Sequence, residues 1–250
     1  MKHIDYYGNI DNESMDDKLL KYQEISKKII YEYCEKNSST QQGGLKLLDA
    51  GCGNGRFLNH CTDIPISLYG VDYSENELNY AKKACSNIGL SQADLNEGIP
   101  YEDDFFDVVH SSEVIEHLYN PDFFIEEIKR VAKRDALVVI TTPNLNSWLS
   151  RIMFLFGSIP MFYEVSTIHA NSGFGFFKKF KKQDYPVGHI RVMNKDAIKC
   201  LFNNQGLEVY KIYGLPFEYF TGFMHWLDSL MSKVVTLSSC LVVIAINTKE

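Results

Sequence analysis

The sequence lacks the cysteine spacings, the long apolar runs and the leader pattern that mark several large protein classes. Its six cysteines form no CxxC pair, and a chain of 250 residues needs no disulfide framework, so we interpret them as reduced, mostly buried thiols. The most apolar stretch, 240–246, is far shorter than the ~20 residues of a membrane helix and is interpreted as a buried strand. No basic-then-apolar segment opens the chain, which predicts a cytoplasmic protein.

Positive charge is also scarce. The 25 Lys and Arg residues are outnumbered by 32 Asp and Glu residues, which gives a formal net charge of −7. This balance disfavours nucleic acid and anionic membranes as partners, because both attract basic surfaces. With 45% hydrophobic residues the chain can bury one large core, and we predict a single domain over residues 1–250.

Short apolar runs alternate with helical apolar patterns along most of the chain. This alternation predicts an α/β fold with a doubly wound, mainly parallel sheet. Helical spacing marks 18–34, 75–87, 121–133 and 195–205, and strands are predicted at 46–50, 67–71, 105–110, 136–141, 207–213 and 241–246.

Three segments fall outside this alternation. Residues 1–43 are predicted to be an N-terminal helical segment, 143–192 is rich in aromatic residues and glycine, and 216–237 has a helical apolar pattern. In open α/β sheets the ligand crevice lies beyond the carboxyl ends of the strands, where the connecting loops gather. We therefore predict that the two later segments are insertions that cap this crevice.

A glycine-rich turn gives the strongest local signal, at residues 47–57, where an apolar strand leads into a helix start. Gly51, Gly53 and Gly55 would let the backbone approach a ligand closely. A nicotinamide-binding turn needs G-x-G-x-x-G, but Arg56 occupies the position of the last glycine. Glycine spacing alone also fits an ordinary tight turn between a strand and a helix.

Acidic residues follow the next two strands. Asp72, in YGVDYS, stands where open α/β sheets place a carboxylate against ribose hydroxyls. Asp72 could instead cap the following helix, although Ser74 offers a cap of its own. Asp94, in QADL, follows the third strand and could accept a hydrogen bond from an adenine amino group.

The segments LDAGCGNG, YGVDYS, QADL and FDVVHSSEVIEHL resemble, in order and spacing, the class I S-adenosylmethionine-dependent methyltransferases. The resemblance covers about residues 45–212 and implies a seven-stranded Rossmann-like sheet with S-adenosylmethionine as cofactor. It implies contacts to the methionine part from Asp49, Gly51, Gly53 and Gly55, to the ribose from Asp72 with Tyr73 beside it, to the adenine from Asp94 and Leu95, and to the sulfonium from Ser111 and Ser112.

A candidate metal site follows the fourth strand. On a helix, the i, i+3 and i+4 offsets would put Glu113, Glu116 and His117 on one face, and His189 lies in the later segment PVGHIR. Two carboxylates and two imidazoles suit a divalent ion, and the oxygen content favours Mg²⁺ or Mn²⁺. The E-x-x-E-H pattern with a later histidine resembles the metal-dependent O-methyltransferases of ubiquinone biosynthesis and the small-RNA 2′-O-methyltransferases, which implies these four residues as ligands.

Methyl transfer from a sulfonium is an in-line displacement, so the protein must align the reactants and remove the acceptor's proton. A metal could lower the pKa of an acceptor hydroxyl, and the predicted catalytic residues are Glu116, His117 and His189. One alternative is a metal-free enzyme with His189 as general base. Others are an RNA 2′-O-methyltransferase, a regulator that binds the cofactor without turnover, and an NAD-dependent oxidoreductase.

The acceptor is predicted to be a small hydroxylated metabolite, such as a sugar, a nucleotide-linked compound, a phosphorylated surface-glycan precursor or a quinone precursor. Lysines at 178, 179, 181 and 182 form either a solvated loop or a phosphate site. A homodimer is compatible with the sequence. Aromatic residues are predicted to cover the acceptor or to form the core of the cap: Trp148, Phe154, Phe156, Phe162, Tyr163, Phe174, Phe176 and Phe177.

Overall fold

The computed structural model describes residues 19–37, 44–85, 87–181 and 185–249. Within these ranges no helix has both the length and the apolar character needed to cross a bilayer. The helices are α1 (Lys21–Asn37), α2 (Arg56–His60), α3 (Glu75–Ala84), α4 (Pro121–Val131), α5 (Trp148–Leu155), α6 (Lys195–Asn204) and α7 (Gly222–Met231). The strands are β1 (Leu45–Ala50), β2 (Ile66–Asp72), β3 (Gly89–Gln92), β4 (Phe106–Ser112), β5 (Ala132–Pro143), β6 (Leu207–Leu215) and β7 (Cys240–Asn247). Turns of 3₁₀ helix lie at Ile115–His117, Gly175–Phe180 and Val235–Leu237.

The strands form one seven-stranded sheet in the order β3-β2-β1-β4-β5-β7-β6. Neighbours from β3 to β5 run parallel, whereas β7 pairs antiparallel with both β5 and β6. The strand order reverses between β1 and β4, and a ligand crevice is expected outside the carboxyl ends of the strands at such a point. The prediction of a doubly wound, mainly parallel α/β sheet is confirmed.

Both faces of the sheet are covered, which is why the central strands read as continuous apolar runs. Along β1, Leu48 packs into one apolar core and its neighbour Leu47 into the other, as strand geometry requires. Helix α4 contributes Phe124 and Ile128 to the first core, and α1 contributes Ile30 to the second. Because both faces are packed, the carboxyl ends of the strands hold the loops that follow them in fixed positions.

Several predicted helix boundaries differ from the structure, and the helices predicted at 18–34 and 75–87 are observed at Lys21–Asn37 and Glu75–Ala84. The helix predicted over 121–133 ends at Val131, because Ala132 already pairs with Phe106 and opens β5. The helical apolar pattern continues into the strand because both elements bury apolar side chains in the same core. Tertiary pairing, which leaves no local signal, decides where the helix stops.

The stretches 143–192 and 216–237 contain α5 and α7 and share a third apolar core. The buried carboxylate of Asp228, on α7, accepts hydrogen bonds from the indole N–H of Trp148 at 2.5 Å and from the hydroxyl of Ser239 at 2.7 Å. Of the helical segment predicted at 1–43, the described part is residues 19–37. The division into one domain with two cap insertions stays a prediction.

The aromatic residues predicted to cover the acceptor divide into two groups, and neither lines the main cavity described below. The interpretation as a core for the cap fits the first group, which is buried: Trp148, Phe162, Phe174 and Phe177. The second group is exposed to solvent and does not cover the cavity: Phe154, Phe156, Tyr163 and Phe176.

The six cysteines all lie in described ranges and are free thiols. Cys85 is half-buried and Cys200 is exposed, and the others are buried: Cys34, Cys52, Cys61 and Cys240. The sequence-based expectation of unpaired and mostly buried thiols is confirmed.

Candidate active site

A cavity of about 490 Å³ opens at the carboxyl ends of β1, β2 and β4. Gly51, Gly53 and Asp72, in the turns after β1 and β2, form part of its wall. Residues 164–167 and 186–190 of the cap form another part. A cavity of this size suits a small-molecule ligand. It is lined by several predicted cofactor residues and by His117 and His189, whereas Glu116 lies outside the lining.

The glycine turn is built on left-handed backbone conformations. Gly51 has φ +82° and donates its N–H to the carbonyl of Val71 at 2.8 Å, and a Cβ added there would collide with the side chain of Val114. Gly51 and Gly53 line the cavity, as predicted. Gly55, with φ +75°, is the N-cap of α2 and does not line the cavity. Its role is to let the chain turn from β1 into α2.

Asp72 ties this turn to the end of β2. One carboxylate oxygen accepts from the N–H of Gly53 at 2.9 Å, and the other accepts from the N–H of Ser74 at 2.9 Å. Burial raises the pKa of Asp72, although these N–H groups lower it in part. The Ser74 hydroxyl accepts from the N–H of Glu77, so Ser74 caps α3 and Asp72 does not. The other predicted cofactor residues that line the cavity are Tyr73, Asp94 and Leu95.

Besides Gly55, two predicted cofactor residues do not line the cavity, Asp49 and Ser111. Asp49 is only 3% exposed, and its carboxylate lies 2.7 Å from Nδ1 of the buried His110. Ser111 is fully buried and donates its hydroxyl to the carbonyl of Ala50 at 2.8 Å. Both side chains join β1 to β4, because Asp49 is the cross-strand partner of His110 and Ser111 follows it on β4. Ser112, one residue later, does line the cavity.

The segment 113–117 is not the α-helix on which the E-x-x-E-H argument depended. The N–H of Glu113 still pairs with the carbonyl of Thr141 on β5, at 3.0 Å. Glu113 then adopts φ +56°, and Ile115–His117 form a single 3₁₀ turn. The carboxylate of Glu113 accepts from the Thr141 hydroxyl at 2.9 Å. The predicted shared helical face was wrong, and Glu113 does not join the cluster formed by the other three candidate ligands.

Glu116, His117 and His189 do come together, with one potential ligand atom from each within 4.8 Å of the others. Nδ1 of His117 lies 3.2 Å from the carbonyl oxygen of Gly188, and Nδ1 of His189 lies 2.9 Å from that of Phe162. A carbonyl can only accept, so each Nδ1 carries the proton and each Nε2 keeps a lone pair. The fully buried Oε1 of Glu116 accepts no hydrogen bond from any described residue and lies 3.8 Å from Nε2 of His117.

The protonation states follow from burial. Burial raises the pKa of Glu113 to about 7. Burial and the charge of Glu113 together raise the pKa of Glu116 well above its ordinary value. Burial lowers the pKa of His117, and burial with the nearby His117 lowers that of His189 to about 4. Uncharged imidazoles therefore stand beside a buried carboxylate that is costly to ionise without a cation.

These shifts predict a pH-dependent stability for the metal-free protein. Because folding raises the pKa of Glu113 from 4.5 to about 7, the stabilisation from its protonated form is complete below about pH 4.5 and is lost as the pH rises through about 7. Urea unfolding in the presence of a chelator should show this loss. Glu113→Gln should lose less stability over the same pH range. An equally steep loss in the variant would assign the effect to another group.

Sequence reasoning missed Glu164, which lines the cavity and accepts a hydrogen bond from Lys181 at 2.9 Å. The side chain of Lys181 is only 6% exposed, whereas Lys178 and Lys179 are exposed and Lys182 lies outside the described residues. The lysine run is therefore not a phosphate site at the cavity, whose lining in the described part of the chain includes no lysine or arginine. No local pattern marks Glu164, because its partners lie 17 to 25 residues later.

Comparison with known proteins gives sequence relatives for most of the chain. Residues 21–212 match the family described as "Methyltransferase domain". The ubiquinone biosynthesis O-methyltransferase of Bartonella bacilliformis is 31% identical over 110 residues, which cover 43% of this chain and 44% of that protein. The mitochondrial ubiquinone biosynthesis O-methyltransferase of Rattus norvegicus is 24% identical over 193 residues, which cover 74% of this chain and 51% of that protein. The chain thus spans about half the length of these relatives.

Solved structures with the same fold show how widely it is used. An S-adenosylmethionine-dependent methyltransferase from Aquifex aeolicus superposes with a TM-score of 0.51 at 20% identity, covering 86% of this chain and 88% of that one. The cyclase SpnF superposes with a TM-score of 0.56 at 16% identity, covering 94% of this chain and 86% of that one. Because a cyclase shares the fold, the reaction has to be argued from the site.

Proposed function

Because this chain belongs to the methyltransferase domain family and is a class I S-adenosylmethionine-dependent methyltransferase, we propose that it methylates a hydroxyl of a small acceptor. We propose further that Glu116, His117 and His189 hold a divalent cation for this reaction. The observation that carries the proposal is the cluster itself. Two imidazoles with free Nε2 lone pairs and an unpartnered buried carboxylate oxygen meet beside the cofactor cavity.

The donor is held by the turns after β1 and β2 in this proposal. Gly51 and Gly53 carry no side chain, so the methionine part of S-adenosylmethionine can approach their backbone closely. Both oxygens of Asp72 already accept one N–H each, and a carboxylate has further lone pairs with which to accept the ribose hydroxyls. Asp94 and Leu95, which also line the cavity, are placed to meet the adenine.

The cluster fits a divalent cation. Each imidazole donates Nδ1–H to a backbone carbonyl, the arrangement that usually orients histidine ligands. A set of two imidazoles and one carboxylate suits Mn²⁺ better than Mg²⁺, which prefers oxygen ligands. When bound, the cation would supply positive charge that lowers the pKa of an acceptor hydroxyl. Glu113 lies outside this set and keeps its hydrogen bond to Thr141.

A metal-free reaction with His189 as the general base is less well supported. A general base works best when its pKa lies near the working pH, but burial holds the pKa of His189 at about 4. Nδ1 of His189 is engaged with the carbonyl of Phe162, so only Nε2 could act. A weakly basic, oriented imidazole is a better cation ligand than a base.

The charge of the cavity restricts the acceptor. Five acidic residues line it, and the described lining contains no lysine or arginine: Asp72, Glu77, Asp94, Glu113 and Glu164. A phosphorylated acceptor would find no lysine or arginine partner in this lining, so we propose an uncharged hydroxylated molecule whose hydroxyl meets the proposed cation. RNA is disfavoured for the same reason, because its recognition depends on cationic contacts to phosphates.

Calorimetric titration tests the donor and the cation separately. We expect S-adenosylmethionine to bind with micromolar affinity and Mn²⁺ to give a separate isotherm. A chelator should remove methyl transfer to hydroxylated acceptors, and added Mn²⁺ should restore it. Full activity after exhaustive chelation would overturn the metal site, and absence of an S-adenosylmethionine isotherm would overturn the assignment of the cavity.

A further inference from the structure

We propose that Glu164, paired with Lys181, is a positioning residue that holds the segment 187–191 so that His117 and His189 face Glu116. This segment is called the strap below. The proposal rests on the proposed function, because it explains how the cation-binding cluster is held together. Glu164 lies in the cap, 25 residues before His189, and touches neither imidazole ring through any hydrogen bond of the described residues.

The carboxylate of Glu164 accepts four hydrogen bonds. One oxygen accepts from the ammonium of Lys181 at 2.9 Å and from the N–H of Val187 at 3.1 Å. The other accepts from the N–H of Gly188 at 2.8 Å and from that of His189 at 3.2 Å. Three consecutive N–H groups on one carboxylate fix the path of the backbone at this point. Such charge-assisted bonds are stronger than bonds between neutral groups.

The strap is also tied at its other end. The N–H groups of Ile190 and Arg191 both lie 2.9 Å from the backbone carbonyl of Glu116. Every N–H from residue 187 to residue 191 is therefore bound either by the side chain of Glu164 or by the backbone of Glu116. Three of these five bonds hold the strap within the cap, and the other two join the cap to the segment after β4.

The position of the strap determines the positions of both imidazoles. The carbonyl of Gly188 accepts Nδ1–H of His117, and the next residue along the strap is His189. Gly188 has φ +87°, a conformation that glycine adopts without strain. If the strap moved, His117 would lose the carbonyl that fixes its tautomer, and the proton could shift to Nε2. Glu164 therefore acts on the cluster through the backbone.

Lys181 offsets the energetic cost of burying the charged carboxylate of Glu164. The side chains of Glu164 and Lys181 are 5% and 6% exposed, and an unpaired charge at such a depth would be strongly destabilising. Burial raises the pKa of Glu164, but Lys181 and the strap N–H groups outweigh burial and hold it below its ordinary value. The carboxylate thus stays ionised and accepts at both oxygens.

Glu164→Gln tests the proposal, because the amide group keeps the size of the side chain and leaves one oxygen to accept. We expect Mn²⁺ to bind about 10- to 100-fold more weakly, the usual result of losing a supporting contact, with unchanged affinity for S-adenosylmethionine. Asp107→Asn is the matched control for loss of a buried, lysine-paired carboxylate, and it should leave the Mn²⁺ affinity unchanged. Asp107 is a buried carboxylate at the opposite end of β4 that also accepts a backbone N–H, from Lys46, and a lysine ammonium, from Lys133.

Imidazole ¹⁵N NMR of the metal-free protein separates this proposal from the metal site. Wild type should show Nδ1–H tautomers for His117 and His189, and Glu164→Gln should show a mixture. If wild type binds no Mn²⁺, the proposed function fails while the tautomers still decide the role of Glu164. Unchanged tautomers with unchanged Mn²⁺ affinity would overturn the positioning role. Should Glu164→Gln not fold, Glu164→Asp gives both readouts, because its shorter side chain retains a charge for Lys181 but withdraws from the strap.

Discussion

Replacing Glu116 with glutamine should lower kcat/KM roughly 1,000-fold, about 4 kcal/mol of transition-state stabilisation, without changing the affinity for S-adenosylmethionine. Glutamine can still accept the Thr142 hydroxyl that now donates to Glu116 at 3.0 Å. It lacks the negative charge that pairs with a cation next to His117 and His189. The loss should therefore appear in Mn²⁺ affinity and in catalysis and should spare the donor site.

The same substitution should act in the opposite direction on the stability of the metal-free protein. Burial and the charge of Glu113 raise the pKa of Glu116, so a neutral amide removes a destabilising ionisation. Wild type should gain about 2.7 kcal/mol when Mn²⁺ is present at 100 times its Kd, and the variant should gain nothing. Glu126→Gln, an exposed carboxylate on α4, is the control. Equal activity and equal Mn²⁺ stabilisation in Glu116→Gln would remove Glu116 from the site.

Replacing Asp72 with alanine should weaken binding of S-adenosylhomocysteine roughly 100-fold, about 2.7 kcal/mol. The carboxylate now accepts the N–H of Gly53, which orders the turn, and it is placed to accept the ribose hydroxyls. Asp63→Ala provides a control of the same chemistry, because Asp63 is an exposed carboxylate between α2 and β2 whose partner is Lys27. Calorimetric titration measures the affinity of both variants for S-adenosylhomocysteine.

A 2′-deoxyribose analogue of S-adenosylhomocysteine separates the two roles of Asp72. In wild type the analogue should bind more weakly than the parent compound, because one hydroxyl is missing. In Asp72→Ala the two compounds should bind alike, since the group that distinguishes them is gone. A preference for the parent compound that persists in the variant would leave Asp72 as a residue that only orders the turn.

Features set by short stretches of sequence could be predicted accurately. The strand at 46–50, the glycine turn and the cap of α3 by Ser74 depend on neighbouring residues, and the structure confirms them. The helical face proposed for 113–117 failed because Glu113 remains paired to β5 through Thr141 before the chain turns. That pairing joins residues 28 positions apart, so no local periodicity reveals it.

The sequence by itself determined the α/β architecture, the glycine turn and the acid at the end of β2, because apolar periodicity and backbone preferences act over a few residues. Only the tertiary structure decided which candidates share a site. It brought His189 to Glu116 and His117 through the strap, placed Asp49 and Ser111 where they join β1 to β4, and joined Lys181 to Glu164. These outcomes depend on hydrogen bonds and burial between distant segments, which form only when the sheet brings the ends of its strands together.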